Sequence, residues 1–415
     1  MDTTRADHLG YHGYARDTSP RIDALARESA VFLRHYSHAS RTGPAVASLF
    51  TGLHPRSHGV VNPLAEWDAK GTLGAAQQTL AELLRARGYR TLGIVANFNV
   101  SARFGFDQGF DVFELHEQAR AGALNARVDA LDLASQPQPF FLYLHYMDPH
   151  SPYGAPPPWR GHFSDPDYQG PLTGDHQQLD EIVAGRGPVG PDAAERLADL
   201  YDEEIRYFDA ELGALVDRLR EARPARPTLF ALVADHGEEL LDHGSVLHGY
   251  TLYAEQLHVP FLIHDPRIGK PRRVERVSRH VDVLPTLLEL LGIEPPPGLQ
   301  GSSLVPWMRG GRTQPEVPVY AHMSLRAVKT VQGASLQIGE WKLIESRLPQ
   351  RSRELYHVAS DPRERRDRSG ERPDLVARLG EALRRFEEAL PVAEGGMVRL
   401  DEAERQRLRA LGYAN

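Results

Sequence analysis

Asp235 and His236 follow the clearest apolar run of the chain, Thr228-Leu229-Phe230-Ala231-Leu232-Val233-Ala234, and Gly237 stands directly after them. A buried strand ending in a carboxylate beside an imidazole offers one oxygen and one nitrogen to a divalent cation, and the glycine lets the backbone turn away. Thr42 precedes Gly43-Pro44 and an apolar run that can open a helix. A hydroxyl there sits beside free N–H groups and a positive dipole end, a place suited to an anionic group or an alkoxide. The plain alternative is an N-cap, the commonest use of a Thr before a helix. His150 lies in Asp148-Pro149-His150-Ser151-Pro152, just past a second apolar run, Pro139 to His145. Open α/β sheets place their sites at such strand ends. Alone, His150 reads as readily as a turn residue, and Asp-His-Gly is a common tripeptide.

The elements that must position these residues are legible in outline. Residues 90–96, 139–145 and 228–234 read as buried strands. Ser19 to Ala26 reads as a capped helix with Pro20 in its first turn, and Thr79 to Arg87 as an amphipathic helix closed by Gly88. Between Asp192 and Glu221, Leu197, Tyr201, Ile205, Phe208, Leu212, Leu215 and Leu219 recur at helical spacing, a core face. A further helix starts in His280 to Leu288 and ends at Gly292. Residues 104–113 read as loop, and the Pro-, Gly- and Asp-rich stretch 154–190 as a long loop shaping a substrate entrance. From about 306 the pattern changes to shorter alternating strands, including Trp341 to Ile344 and Glu354 to His357. Terminal helices then end at Leu411-Gly412-Tyr413. The expected fold is α/β, with a large unit over 1–305 and a small one over 306–415.

The chain has 415 residues, with 25% charged, 41% hydrophobic and a net charge of −8, values ordinary for a globular protein. No Lys/Arg block reads as a nucleic-acid footprint, and no apolar run approaches the length of a membrane span. There is no Cys, which removes disulfides, thiolate metal sites and Cys nucleophiles together.

Thr42-Gly43-Pro44, Ala47-Ser48-Leu49-Phe50-Thr51-Gly52, Pro55 and His58-Gly59 together resemble the signature segment of the sulfatase family within the alkaline phosphatase superfamily. The Gly-Phe-Asp stretch near 105, Asp148-Pro149-His150 and Asp235-His236-Gly237 extend the resemblance over almost the whole chain. It implies a mixed, mostly parallel central sheet flanked by helices, with a small C-terminal antiparallel-sheet subdomain. It also implies metal ligands Asp2, Thr42, Asp235 and His236, and anion contacts from Asn97, His150 and His248. The chain departs from the pattern at Thr42, where sulfatases carry a Cys or Ser that matures to formylglycine, so none is expected here. It departs again at Val46, usually Arg, at Asn97, often Lys or His, and at Thr3, often a second Asp. An Asp like Asp2 ends the first, central strand in that family. No such strand precedes it here, so a start upstream of Met1 is expected, with room for export or an anchor. The alternative is a protein that lacks the strand. Location and membrane association stay open.

These residues imply hydrolysis of a sulfuric or phosphoric ester, with Thr42 as nucleophile and a protonated His248 or His150 as general acid. One divalent cation would serve. A His ligand tilts the choice to manganese or zinc over calcium or magnesium. The substrate would be an anionic ester of a small molecule, glycan or lipid, with no nucleic-acid partner. The competing readings are a phosphoryl or phosphoethanolamine-type transferase using Thr42, and a non-catalytic anion-binding relative. A threonine sulfate lacks the aldehyde exit of a formylglycine hydrate, so Thr42 favours phosphorus where the family resemblance favours sulfur. His243 could be a second contact or structural.

Overall fold

The computed structural model describes the chain except residues 62, 63, 65–67, 188, 191, 223–226, 269, 312–316, 394, 395 and 412–415. Three parallel strands lie in the order Val112–Leu115, Arg90–Val95, Phe140–His145. A mixed set of four follows the order Arg272–Arg279, Ala30–Tyr36, Phe261–His264, Phe230–Val233, with only the first pair parallel. Met1 and Asp2 bridge the two sets. The Met1 amino group donates to Val233 O at 3.2 Å, Asp235 N to Met1 O at 3.2 Å, and Asp2 N to Tyr146 O at 3.0 Å. These hydrogen bonds fix Met1 and Asp2 against the ends of both sets. Beside them, Phe140–Tyr146 and Leu229–Val233 line an apolar groove of about 400 Å³, and both strands are only partly buried.

The expected helices form at Pro20–Arg27, Leu80–Arg85, Ala193–Ala222 and Val283–Leu290. Thr79 closes a capping box with Glu82. Ser19 does not cap its helix. Its hydroxyl accepts from Gly10 N at 2.9 Å and donates to Asp23 at 3.1 Å. The stretch 154–190 is not all loop, because Asp175 caps a helix at His176–Val183 that buries Leu179, Ile182 and Val183. Residues 104–113 likewise run into a strand, Val112–Leu115, which pairs with Arg90–Val95.

Near the C-terminus, Val319–Arg326, Thr330–Ile338, Trp341–Leu348 and Ser352–His357 form an antiparallel meander. The helix Pro373–Ala389 covers it, with Leu375 and Leu379 against Leu343 and Leu355, and Leu383 against Leu336. The last segment then leaves this unit. Gly396–Arg399 pairs with Ala69–Thr72, and the helix Glu402–Ala410 lays Arg407 over the ring of Phe98 at 3.7 Å. Residues 412 and 413 lie outside the described residues.

Candidate metal and anion site

The site forms where the strand ends meet the N-terminus of the helix Thr42–Thr51. Thr42 is the first residue inside that helix, and Arg41 takes the N-cap position. The Thr42 hydroxyl lies 3.3 Å from His236 Nε2 and 3.5 Å from Asn97 Nδ2. The plain N-cap role is therefore not the one it plays. His236 donates from Nδ1 to Gly237 O at 2.9 Å, which leaves the Nε2 lone pair toward the carboxylates of Asp2, 3.7 Å, and Asp235, 3.6 Å. Gly237 is required by close approach, since a Cβ there would stand 2.0 Å from the carbonyl oxygen of Glu255.

The two carboxylates are each half satisfied. Asp2 Oδ2 accepts from Asn97 Nδ2 at 2.6 Å and from His145 Nε2 at 3.2 Å. Asp235 Oδ1 accepts from His236 N at 2.8 Å and Thr3 N at 3.2 Å. Their other oxygens, Asp2 Oδ1 and Asp235 Oδ2, are buried and have no hydrogen-bond partner. Burial opposes ionisation of both. Three imidazoles, of His145, His150 and His236, nevertheless hold Asp2 below the usual carboxylate range, while the charge on Asp2 adds to burial in pushing Asp235 up. Two orphan carboxylate oxygens, an imidazole lone pair and a hydroxyl converging in a buried pocket fit a divalent cation. Thr3, where a further Asp ligand is common in the family, contributes its N–H to Asp235 and leaves its own hydroxyl without a hydrogen bond.

His150 and His248 stand together, ring centroids 5.0 Å apart, and His248 is 4.4 Å from His236. His248 Nδ1 is 2.9 Å from Glu238 Oε1, and Tyr153 donates to the other oxygen of Glu238 at 3.2 Å. Burial and neighbouring imidazoles keep His248 well below its ordinary pKa, and burial also lowers His150. Sequence reasoning did not pick out His145, Glu238, Arg41, Lys70 or Asn99. Arg41 and Glu238 flank motif residues and Asn99 lies two past Asn97, while His145 and Lys70 come from separate strands.

A second group, Glu239, His243 and Glu255, is also close enough to hold an ion. It does not fit one. Both His243 nitrogens are engaged, with Glu255 at 2.7 Å and Glu364 O at 2.9 Å, the ring stacks on Tyr253 at 3.7 Å, and Glu239 accepts from the N–H groups of His243 and Ser245. Burial alone would lower the His243 pKa, but Glu255 outweighs it and pushes it up to about 9. A raised histidine pKa gives stability that is complete below pH 6.5 and fades as pH rises toward 9. After discounting for solvent screening this is worth about 1–2 kcal/mol. His243→Gln should therefore flatten the fall in urea midpoint between pH 6.5 and 9. An unchanged slope would mean the pair carries no such charge.

A family model described as Sulfatase matches residues 1–293, and one described as N-sulphoglucosamine sulphohydrolase, C-terminal, matches 245–388. The chain belongs to the sulfatase family. It is an ester hydrolase. Among its relatives, it is 24% identical to an arylsulfatase of Clostridium perfringens, covering 73% of this chain and 76% of that protein. It is 27% identical to a multifunctional alkaline phosphatase superfamily protein of Trinickia caryophylli, covering 71% and 72%. The solved phosphonate monoester hydrolase from Silicibacter pomeroyi shares the fold with a TM-score of 0.76 at 21% identity, over 94% of each chain. Members of the family generally use a divalent metal. No helix among the described residues is long and apolar enough to cross a membrane.

Proposed function

We propose that this sulfatase-family chain cleaves a sulfuric or phosphoric ester with Thr42 as nucleophile. The observation that carries the reading is the convergence of Asp2 Oδ1, Asp235 Oδ2, His236 Nε2 and Thr42 Oγ1. Asp2, Asp235, His236 and Thr42 would hold one divalent cation, with manganese or zinc favoured by the imidazole. Bound there, it supplies positive charge that favours the ionised hydroxyl and offsets charge on the ester oxygens.

The chain's own residues then divide the work. Thr42 Oγ1 attacks sulfur or phosphorus in line with the leaving oxygen, and the helix N-terminus behind it favours the anion. Asn97 offers an N–H beside the nucleophile. His248, braced by Glu238, or His150, both held toward the neutral form by burial, takes up a proton as Thr42 loses its own and gives it to the leaving alcohol. Water then cleaves the ester on Thr42. The names of the relatives span sulfuric esters and phosphonate esters, and Thr42 itself favours phosphorus. The substrate class follows as an anionic ester of a small molecule, glycan or lipid.

The test is an assay of aryl sulfate, aryl phosphate and aryl phosphodiester with protein stripped of metal and then reloaded with manganese or zinc. Intact-mass analysis of acid-quenched turnover accompanies it. The expected result is metal-dependent turnover of at least one ester and a covalent adduct on Thr42. Absence of turnover on all three with metal bound would remove the reading.

A further inference from the structure

Lys70 stands on the strand Ala69–Thr72 and is only 5% exposed. A buried amine is costly unless its surroundings answer it. Among the described residues no carboxylate pairs with it. Its Nζ bonds to the side-chain oxygen of Asn99 and lies 3.9 Å from the centroid of the Phe104 ring. Asn99 passes the contact on, since its Nδ2 donates to Asn97 Oδ1 at 3.1 Å. Asn97 Nδ2 in turn donates to Asp2 Oδ2 at 2.6 Å and lies 3.5 Å from Thr42 Oγ1. The row runs in one direction, from an amine through two amides to an acceptor-only carboxylate. The backbone N–H of Asn99 also donates to Asn97 Oδ1, at 2.8 Å, so turning either amide over would break more than one bond. Buried hydrogen bonds aligned head to tail polarise one another.

We propose that Lys70 is a positioning residue for the anion site, acting through Asn99 to fix and strengthen the N–H that Asn97 presents beside Thr42. This rests on the reading that Thr42 marks the anion pocket. The amine brings at least two N–H groups to Asn99 whether charged or neutral, so the direction of the row does not depend on its protonation. An Asn in this place is a neutral and weak grip on an anion. Backed by an amine two side chains away, it becomes a stronger donor without placing a second cation among the metal ligands.

The experiment measures binding of inorganic phosphate and inorganic sulfate to metal-loaded protein by calorimetry, beside aryl ester kinetics. Lys70→Met is expected to weaken the better-bound anion about tenfold, the cost of losing the hydrogen bond at the head of the row. Lys70→Gln, which keeps an N–H for Asn99, should stay within about threefold of wild type. In an Asn97→Ala background, Lys70→Met should change anion affinity less than about twofold, because the row is already cut. Unchanged affinity in Lys70→Met overturns the proposal, and so does an equal loss in both backgrounds. Where Lys70→Met fails to fold, Asn99→Leu cuts the row from the other side and serves the same comparison. A wild-type protein that binds neither anion overturns the pocket reading itself, and this inference with it.

Discussion

Thr42→Ala is expected to lower kcat/KM by roughly 10³–10⁶, while changing stability by less than about 1 kcal/mol. The size follows from the role. Without an oxygen on this side chain no covalent ester can form, and only the background from cation, helix end and histidines remains. The small stability cost follows from the position. Thr42 is the first residue within its helix, the cap position falls to Arg41, and the neighbouring packing is carried by Ala45, Val46 and Leu49. Thr42→Ser keeps the oxygen and loses only a methyl group, so it should retain adduct formation with a loss of no more than about a hundredfold. Steady-state kinetics, metal affinity and chemical denaturation on the three proteins decide it. An alanine variant within about tenfold of wild type, with metal bound, would mean that water attacks the ester directly and that Thr42 is a bystander.

The residues legible beforehand are those that sit next to punctuation. Asp235-His236 follows a long apolar run, Thr42 precedes Gly-Pro, and His150 lies between two prolines. In each case a local break in the chain marks the end of an element, and strand and helix ends are where α/β folds concentrate chemistry. Asp2 has no such mark and was reached only through the family resemblance. The structure brings Asp2, Thr42, Asp235 and His236 into one pocket, with His150 and His248 beside them. His145, Glu238, Lys70 and Asn99 were illegible for a different reason. Glu238 and Asn99 stand two residues beyond His236 and Asn97, and only the folded chain shows that they face His248 and Lys70. His145 and Lys70 matter through partners far along the chain. The same holds for the strands. Arg272–Arg279 carries Arg272, Arg273, Glu275 and Arg276, yet it is a strand because Ala30–Tyr36 supplies its hydrogen bonds. Pairing across the sheet overrides what composition suggests.

The second large effect concerns the junction between the antiparallel meander and the loop that follows His248. Lys342 Nζ lies 2.8 Å and 3.0 Å from the two oxygens of Glu364 and 2.7 Å from Leu252 O, and Glu364 also accepts from Ala254 N at 3.0 Å. Both side chains are almost fully buried. Removing one member of such a pair strands the other charge, so Lys342→Met is expected to cost about 3–5 kcal/mol in urea denaturation. Burial already pushes the Glu364 pKa up, and Lys342 is what opposes that rise. In the variant the carboxyl therefore takes up a proton more readily when folded than when unfolded. A raised carboxyl pKa makes the folded state bind the extra proton, so the deficit should shrink as pH falls from 7 toward 5. Lys342→Met with Glu364→Leu removes both charges and should recover at least half of the loss, since two apolar groups of similar bulk leave nothing unpaired. A single-variant cost below about 1 kcal/mol, or a deficit that grows on acidification, would mean that water reaches the pair. Because Leu252 and Ala254 close the loop that begins at His248, the single variant should also raise KM more than it lowers kcat. That split would place the junction's influence on how the anion is held rather than on the chemical step.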